Sequence, residues 1–218
     1  MATAVVHTTS TTPARRSLRT RIPRFLGGLS LCAVAVWLTL QVDLGLAPWD
    51  VLHAGVSHLL GLSFGAVLVV VGLLVLAASA VLGVRPGVGT LVNVLLVGSA
   101  IDRLLATSWL DGLPAAPVAV RVLVLIGAVA LLGLGVALYI GAGLGAGPRD
   151  SLMVALARRG LPIGWSRGVI EMSVLGLGWL LHGPVGIGTG VIAVTSGPAV
   201  QVAFRLLSRE RPGRTAPR

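Results

Sequence analysis

The chain has 218 residues, of which 55% are hydrophobic and only 11% charged, whereas a soluble domain carries roughly 25% charged residues. A water-soluble fold of this length has too little interior for so many apolar side chains, so the class is integral membrane protein and a soluble enzyme or binding domain is excluded. The formal net charge is +10 and all 17 basic residues are arginine; they lie in tails and loops without aromatic stacking platforms, which excludes nucleic acid as a partner and leaves the lipid bilayer with its anionic headgroups.

Residues 1–24 are polar, rich in Thr and Arg, and broken by Pro13 and Pro23. Without apolar periodicity they read as a disordered basic tail. The apolar run that follows is too long for a signal-peptide core and ends in no small-x-small cleavage site. Six spans are expected by apolar length, at 25–43, 62–82, 88–107, 118–141, 163–182 and 187–207. The third is interrupted by Asn93, Asp102 and Arg103. Between the first and second spans lies 48–61, and between the fourth and fifth lies 148–160. Both are too short to cross about 30 Å of hydrocarbon as helices, so they read as interfacial or re-entrant helices. A second basic tail, 208–218, ends the chain.

The chain repeats itself. Gly45-Leu46-Ala47-Pro48-Trp49-Asp50 returns 100 residues later as Gly145-Ala146-Gly147-Pro148-Arg149-Asp150. Gly87-Val88-Gly89-Thr90 returns after 99 residues as Gly186-Ile187-Gly188-Thr189. One half, about 25–107, is therefore a copy of the other, about 118–207. Fifteen of the 17 arginines fall in the N-terminal tail, at Arg85, in the set Arg149, Arg158, Arg159 and Arg167, or from Arg205 onward; only Arg103 and Arg121 fall near the opposite side. The positive-inside rule then places both termini in the cytoplasm. Three spans per half is an odd number, so the halves lie in opposite orientation. The expected fold is all-α: a single membrane domain over 25–207, with six transmembrane helices arranged as two inverted three-helix repeats, each carrying one short helix.

The stretches Ala47–His53, Gly83–Thr90 with Asn93, and Tyr139–Asp150, together with Arg167, Glu171 and Gly186–Thr189, resemble the YczE-like branch of the YczE/YyaS/YitT family. The resemblance covers roughly residues 25–205. It implies a multi-pass protein of the bacterial cytoplasmic membrane and brings no established activity, cofactor or site residue with it.

Candidate site residues follow from cost. Asp50 and Asp150 close the repeated turns. Each either caps its short helix, since Asp is a favoured cap, or sits in a central cavity toward which both helix N-termini point, offering them to an anionic group. Arg149 stands where the first copy has Trp49, a break in symmetry where selectivity can arise. Glu171 follows Arg167 by four residues, a spacing that allows pairing on one helix face. A carboxylate at membrane depth is either functional or one member of an interfacial ion pair. Asp150 is expected to pair with Arg149 or Arg167. Asn93 bonds across helices or lines the same site. These six residues, Asp50, Asp150, Arg149, Glu171, Arg167 and Asn93, form the candidate substrate-binding set.

His53, His58 and His182 are expected on the outer side, and the spacing of the first two does not suit shared metal ligation. No cofactor is implied. No serine, nor the single Cys32, has a neighbouring base that would make it a nucleophile, so an enzyme is not expected. Two function classes remain: a transporter of a small molecule or ion, and a non-transporting component that binds a partner protein or lipid. A polar cavity reaching Asp50, Asp150 or Glu171 would favour the first, and a solid bundle with an exposed groove the second.

The arginine distribution makes a prediction about topology. In a Cys32→Ser background, a single cysteine at position 58 is expected to react with an impermeant maleimide from outside. Labelling only from the cytoplasmic side would overturn the six-span assignment.

Overall fold

The computed structural model describes residues 17–145, 147–160 and 162–209. Among them the chain is helical throughout, with no strand: α1 Leu18–Gln41, α2 Pro48–Leu60, α3 Phe64–Val81, α4 Val88–Leu105, a 3-10 turn Leu113–Ala115, α5 Val118–Ala142, α6 Pro148–Ala157, α7 Ile163–Leu180 and α8 Ile187–Arg209. Five of these, α1, α3, α4, α5 and α8, are long and apolar enough to cross a membrane. The expected fifth span is the exception. α7 matches α3 and α4 in length, 18 residues, but carries Arg167 and Glu171 among its apolar residues and does not join the five.

The tails differ from expectation where they are described. α1 begins at Leu18, so Arg19, Arg21 and Arg24 lie on helix, and α8 runs on through Ser208 to Arg209. The remaining tail residues, 1–16 and 210–218, lie outside the described residues.

α1 and α5 pack along their length. The contact is close because Gly28 faces the backbone of Tyr139 and Gly135, and Gly135 in turn faces Cys32. Phe25, Leu29, Cys32 and Ala33 of α1 meet Tyr139 and Ala142 of α5, Val97 and Ile101 of α4, and Phe64 of α3 in one buried cluster. At one end of this pair, Arg21 donates from Nε to the carbonyl of Ala142 at 2.7 Å and from Nη2 to that of Gly143. At the other end, Arg121 donates from Nε to the carbonyl of Val42 at 2.7 Å and from Nη2 to that of Asp43. Each residue in the second set lies 100 positions from its counterpart in the first. The N-terminal turn of each long helix thus satisfies the orphan carbonyls at the C-terminus of the other, and the two helices run antiparallel.

The remaining packing follows the same exchange. α4 packs on α1 as α8 packs on α5, α2 packs on α7 as α3 packs on α6, and α2 meets α3 as α6 meets α7. The repeated motifs meet each other across the halves. Gly45 lies against Gly186 and Thr189, and Gly145 lies against Gly89 and Thr90. The Gly188 N–H donates to the Leu44 carbonyl at 2.7 Å. Gly45 has φ +103°, and a Cβ there would stand 2.5 Å from the Gly186 nitrogen. Only glycine meets both conditions.

One pair breaks the pattern. α3 packs on α4, with Gly65 against the Gly98 carbonyl and Gly72 against Val94, while no comparable packing joins α7 to α8 among the described residues. Asp102, one of the polar residues that interrupt the third expected span, ties α4 to the start of α3. Its Oδ1 accepts from the Gly65 N–H at 2.7 Å and its Oδ2 from the Ser63 hydroxyl at 2.6 Å. The neighbouring Arg103 is exposed.

The crossing of the motif loops predicts a selective glycine requirement. Gly45→Ala is expected to lower stability by about 1–3 kcal/mol through backbone strain and overpacking. Gly27→Ala, where a Cβ meets nothing within 4 Å, is expected to be neutral or mildly stabilising. Thermal unfolding in detergent compares the two; equal midpoints would show that the loop contact contributes nothing.

Candidate functional site

All eight helices contribute to a cavity of about 410 Å³, within the range of small-molecule sites. Its walls are chiefly aliphatic, with Leu68, Val71 and Val75 of α3 facing Leu132 and Val136 of α5. The starts of α2 and α6 bring the polar groups. At 13 and 10 residues, these helices span about 20 and 15 Å, short of the hydrocarbon thickness. Proline at the first position of each presets φ and removes one donor that would have been orphaned.

Capping is not what the two aspartates do. The N-caps are Ala47 and Gly147, neither helix has a side-chain cap, and Asp50 and Asp150 sit within the first turn. Asp50 is 3% exposed, and its Oδ1 accepts from Arg149 Nη2 at 3.3 Å and from His53 Nδ1 at 3.4 Å. Removing a carboxylate from water is costly unless it is paired, and these two partners meet that cost. Arg149 also places its guanidinium carbon 5.1 Å from the centre of the Trp49 ring, a cation–π distance. The residues that occupy equivalent positions in the two halves, Trp49 and Arg149, are thus stacked on each other.

Asp150 has different company. Neither Arg149 nor Arg167 pairs with it: Arg149 is turned to Asp50, and Arg167 Nε donates to Glu171 Oε1 at 2.9 Å. The partner of Asp150 is the Tyr139 hydroxyl, at 3.4 Å.

All six residues of the candidate set, Asp50, Asp150, Arg149, Glu171, Arg167 and Asn93, line this one cavity. Three more lining residues escaped the sequence reading. His53, expected on the outer side, is 3% exposed and packs edge-on against Phe64 with ring centroids 5.8 Å apart. Its position three residues after Asp50 on a short helix was the available signal, since that spacing puts both on one face. Tyr139 and Gln201 left no such signal; the partner of Tyr139, Asp150, lies in another element, and Gln201 reaches the cavity from α8. His58 and His182 are exposed. Among the described residues, no three His, Cys, Asp or Glu side chains gather as a metal site.

The Asp50–Arg149 pair joins the two short helices and should be energetically coupled. A double-mutant cycle of Asp50→Asn and Arg149→Gln is expected to give an interaction of about 0.5–3 kcal/mol in thermal or denaturant unfolding. Strict additivity would mean that the pair contributes nothing to folding.

A family model described as a family of unknown function (DUF6198) matches residues 19–205. The uncharacterized membrane protein YczE of Bacillus subtilis strain 168 is 34% identical over 180 residues, covering 79% of this chain and 80% of that protein. An uncharacterized protein of Haemophilus influenzae is 34% identical over 185 residues, covering 84% and 83%, and the uncharacterized protein YyaS of Bacillus subtilis is 27% identical over 190 residues, covering 84% and 91%. No solved structure matches. With its apolar helices and a family match that runs from the first turn of α1 almost to the end of α8, the chain belongs to the DUF6198 family and is a YczE-like membrane protein.

Proposed function

We propose that this protein is a secondary transporter of the bacterial cytoplasmic membrane that moves a small molecule or ion and performs no chemical step. The observation that carries the reading is the cavity itself. In a chain with seven acidic residues, three of them, Asp50, Asp150 and Glu171, line one apolar-walled space together with Arg149 and Arg167. Ionisable groups at membrane depth are costly and mark substrate pathways.

The proposed architecture is six spans in two inverted repeats, with α7 as the sixth span and both termini cytoplasmic. α1 and α5 are related by the repeat and yet antiparallel, as inverted topology requires. The ion pair within α7 lowers the cost of placing Arg167 and Glu171 in a span.

Alternating access needs the two halves in unequal states. α3 and α4 are packed through Gly65 and Gly98, whereas no comparable packing joins α7 to α8 among the described residues, and Gly168, Gly190 and Gly197 on them have space where a Cβ would point. In the proposed cycle the halves exchange these arrangements, closing α7 on α8 and parting α3 from α4. The alternative, a non-transporting component that binds a partner protein or lipid, has weaker support. The apolar strip on α7 around Trp165 and Met172 is shallow.

Two distance measurements test the cycle in the Cys32→Ser background. Spin labels on α7 and α8 at positions 172 and 194, and on α3 and α4 at positions 73 and 95, should each show two populations. Conditions that shorten one distance should lengthen the other. One unchanging distribution for both pairs, across pH, salt and lipid, would remove the cycle. Metabolite profiling of a deletion strain, followed by flux assays in proteoliposomes, would identify the cargo.

A further inference from the structure

We infer that the proposed transport cavity takes an amphipathic organic cation, with its ammonium head at Asp150 and its apolar body against the aliphatic walls. The inference rests on the transport reading and deepens it by naming a substrate class.

The argument compares the two halves position by position. Asp50 and Asp150 occupy equivalent places in the first turns of α2 and α6, so the N-terminal dipole of each helix acts on each carboxylate alike. Asp50 nevertheless receives a full cation from Arg149 and a second donor from His53. The positions corresponding to those two partners in the other half, 100 residues away, are Trp49 and Met153. Neither can supply a charge. Asp150 accordingly forms no ion pair among the described residues and has only the Tyr139 hydroxyl, at 3.4 Å.

What replaces the missing partners also matters. Trp49, Tyr139 and Met153 all line the cavity with Asp150. Aromatic faces attract organic ammonium groups, and a thioether is polarizable and adaptable in shape. The asymmetry therefore removes a protein cation from one aspartate and puts cation-compatible surfaces in its place. The other charges of the cavity are already matched, Arg149 with Asp50 and Arg167 with Glu171. An anionic ligand would meet arginines whose charge is already matched by a carboxylate. A cation meets at Asp150 a carboxylate that has a hydroxyl partner but no ion pair among the described residues.

The experiment uses the full chain in nanodiscs of zwitterionic lipid and three probes of matched shape: benzyltrimethylammonium, benzoate and benzyl alcohol, titrated calorimetrically. The cation is expected to bind at least about tenfold more tightly than either other probe. Asp150→Asn should weaken it by about tenfold or more, with Asp150→Glu restoring the preference for the cation. Trp49→Arg, which returns a cation to the position equivalent to Arg149, should abolish cation binding, with thermal unfolding reporting that each variant is folded. Benzoate binding as tightly as the cation, cation affinity unchanged in Asp150→Asn, or no cation binding at millimolar concentration would each overturn the inference. Flux of the same probes in proteoliposomes separates it from the reading beneath. Cation binding without flux would remove transport and keep the site, and benzoate flux without cation binding would keep transport and remove the site.

Discussion

The antiparallel pairing of α1 with α5 is the constraint on which the other elements depend. Glycines at 28 and 135 bring the two backbones together, which in a membrane is the main route to close helix packing because lipid supplies no hydrophobic drive between helices. The two arginines at its ends bond carbonyls that would otherwise face hydrocarbon or headgroups without a donor. With that pair in place, α4 and α8 find their seats on α1 and α5, and the loops after α1 and α5 are carried across to the starts of α8 and α4.

Those crossing loops explain why the short helices start where they do. A chain that stops being helical inside a membrane exposes backbone polar groups, and these are tolerated only when protein covers them. Gly45 and Gly145 allow that cover, because each lies against the backbone of a Gly-x-Gly-Thr element from the other half. The starts of α2 and α6 then line one cavity, where Arg149 reaches both the Trp49 ring and the Asp50 carboxylate. Asp50 is thus a buried carboxylate paired with Arg149, while Asp150 forms no ion pair among the described residues.

The halves are alike in sequence and in most of their packing, yet they differ in that α3 packs on α4 while no comparable packing joins α7 to α8 among the described residues. A Cβ at Gly65 would collide with the Gly98 carbonyl, whereas one at its counterpart Gly164 would meet nothing within 4 Å. Two arrangements of one repeat within a single chain are consistent with the proposed exchange between inward and outward access.

Several features could be read from the chain alone because they depend on local chemistry. Apolar length marked the long helices; the prolines at 48 and 148 marked the two short ones to within a few residues. The cost of burying charge singled out Asp50, Arg149, Asp150, Arg167 and Glu171, which the fold does collect in one cavity. The i,i+4 pairing of Arg167 with Glu171 was legible too, since both members lie on one helix. Pairings between elements were not legible. Arg149 is covalently adjacent to Asp150 and yet bonds Asp50, because successive residues on a helix point in different directions and the long Arg149 side chain reaches across from α6 to α2. For the same reason His53 became an interior residue, and Arg21 and Arg121 became caps of distant helices instead of tail and loop charges. Sequence by itself determined which segments are helical and which charges are too costly to be incidental; only the tertiary structure decided which charge meets which, because that depends on distances between elements that local composition does not encode.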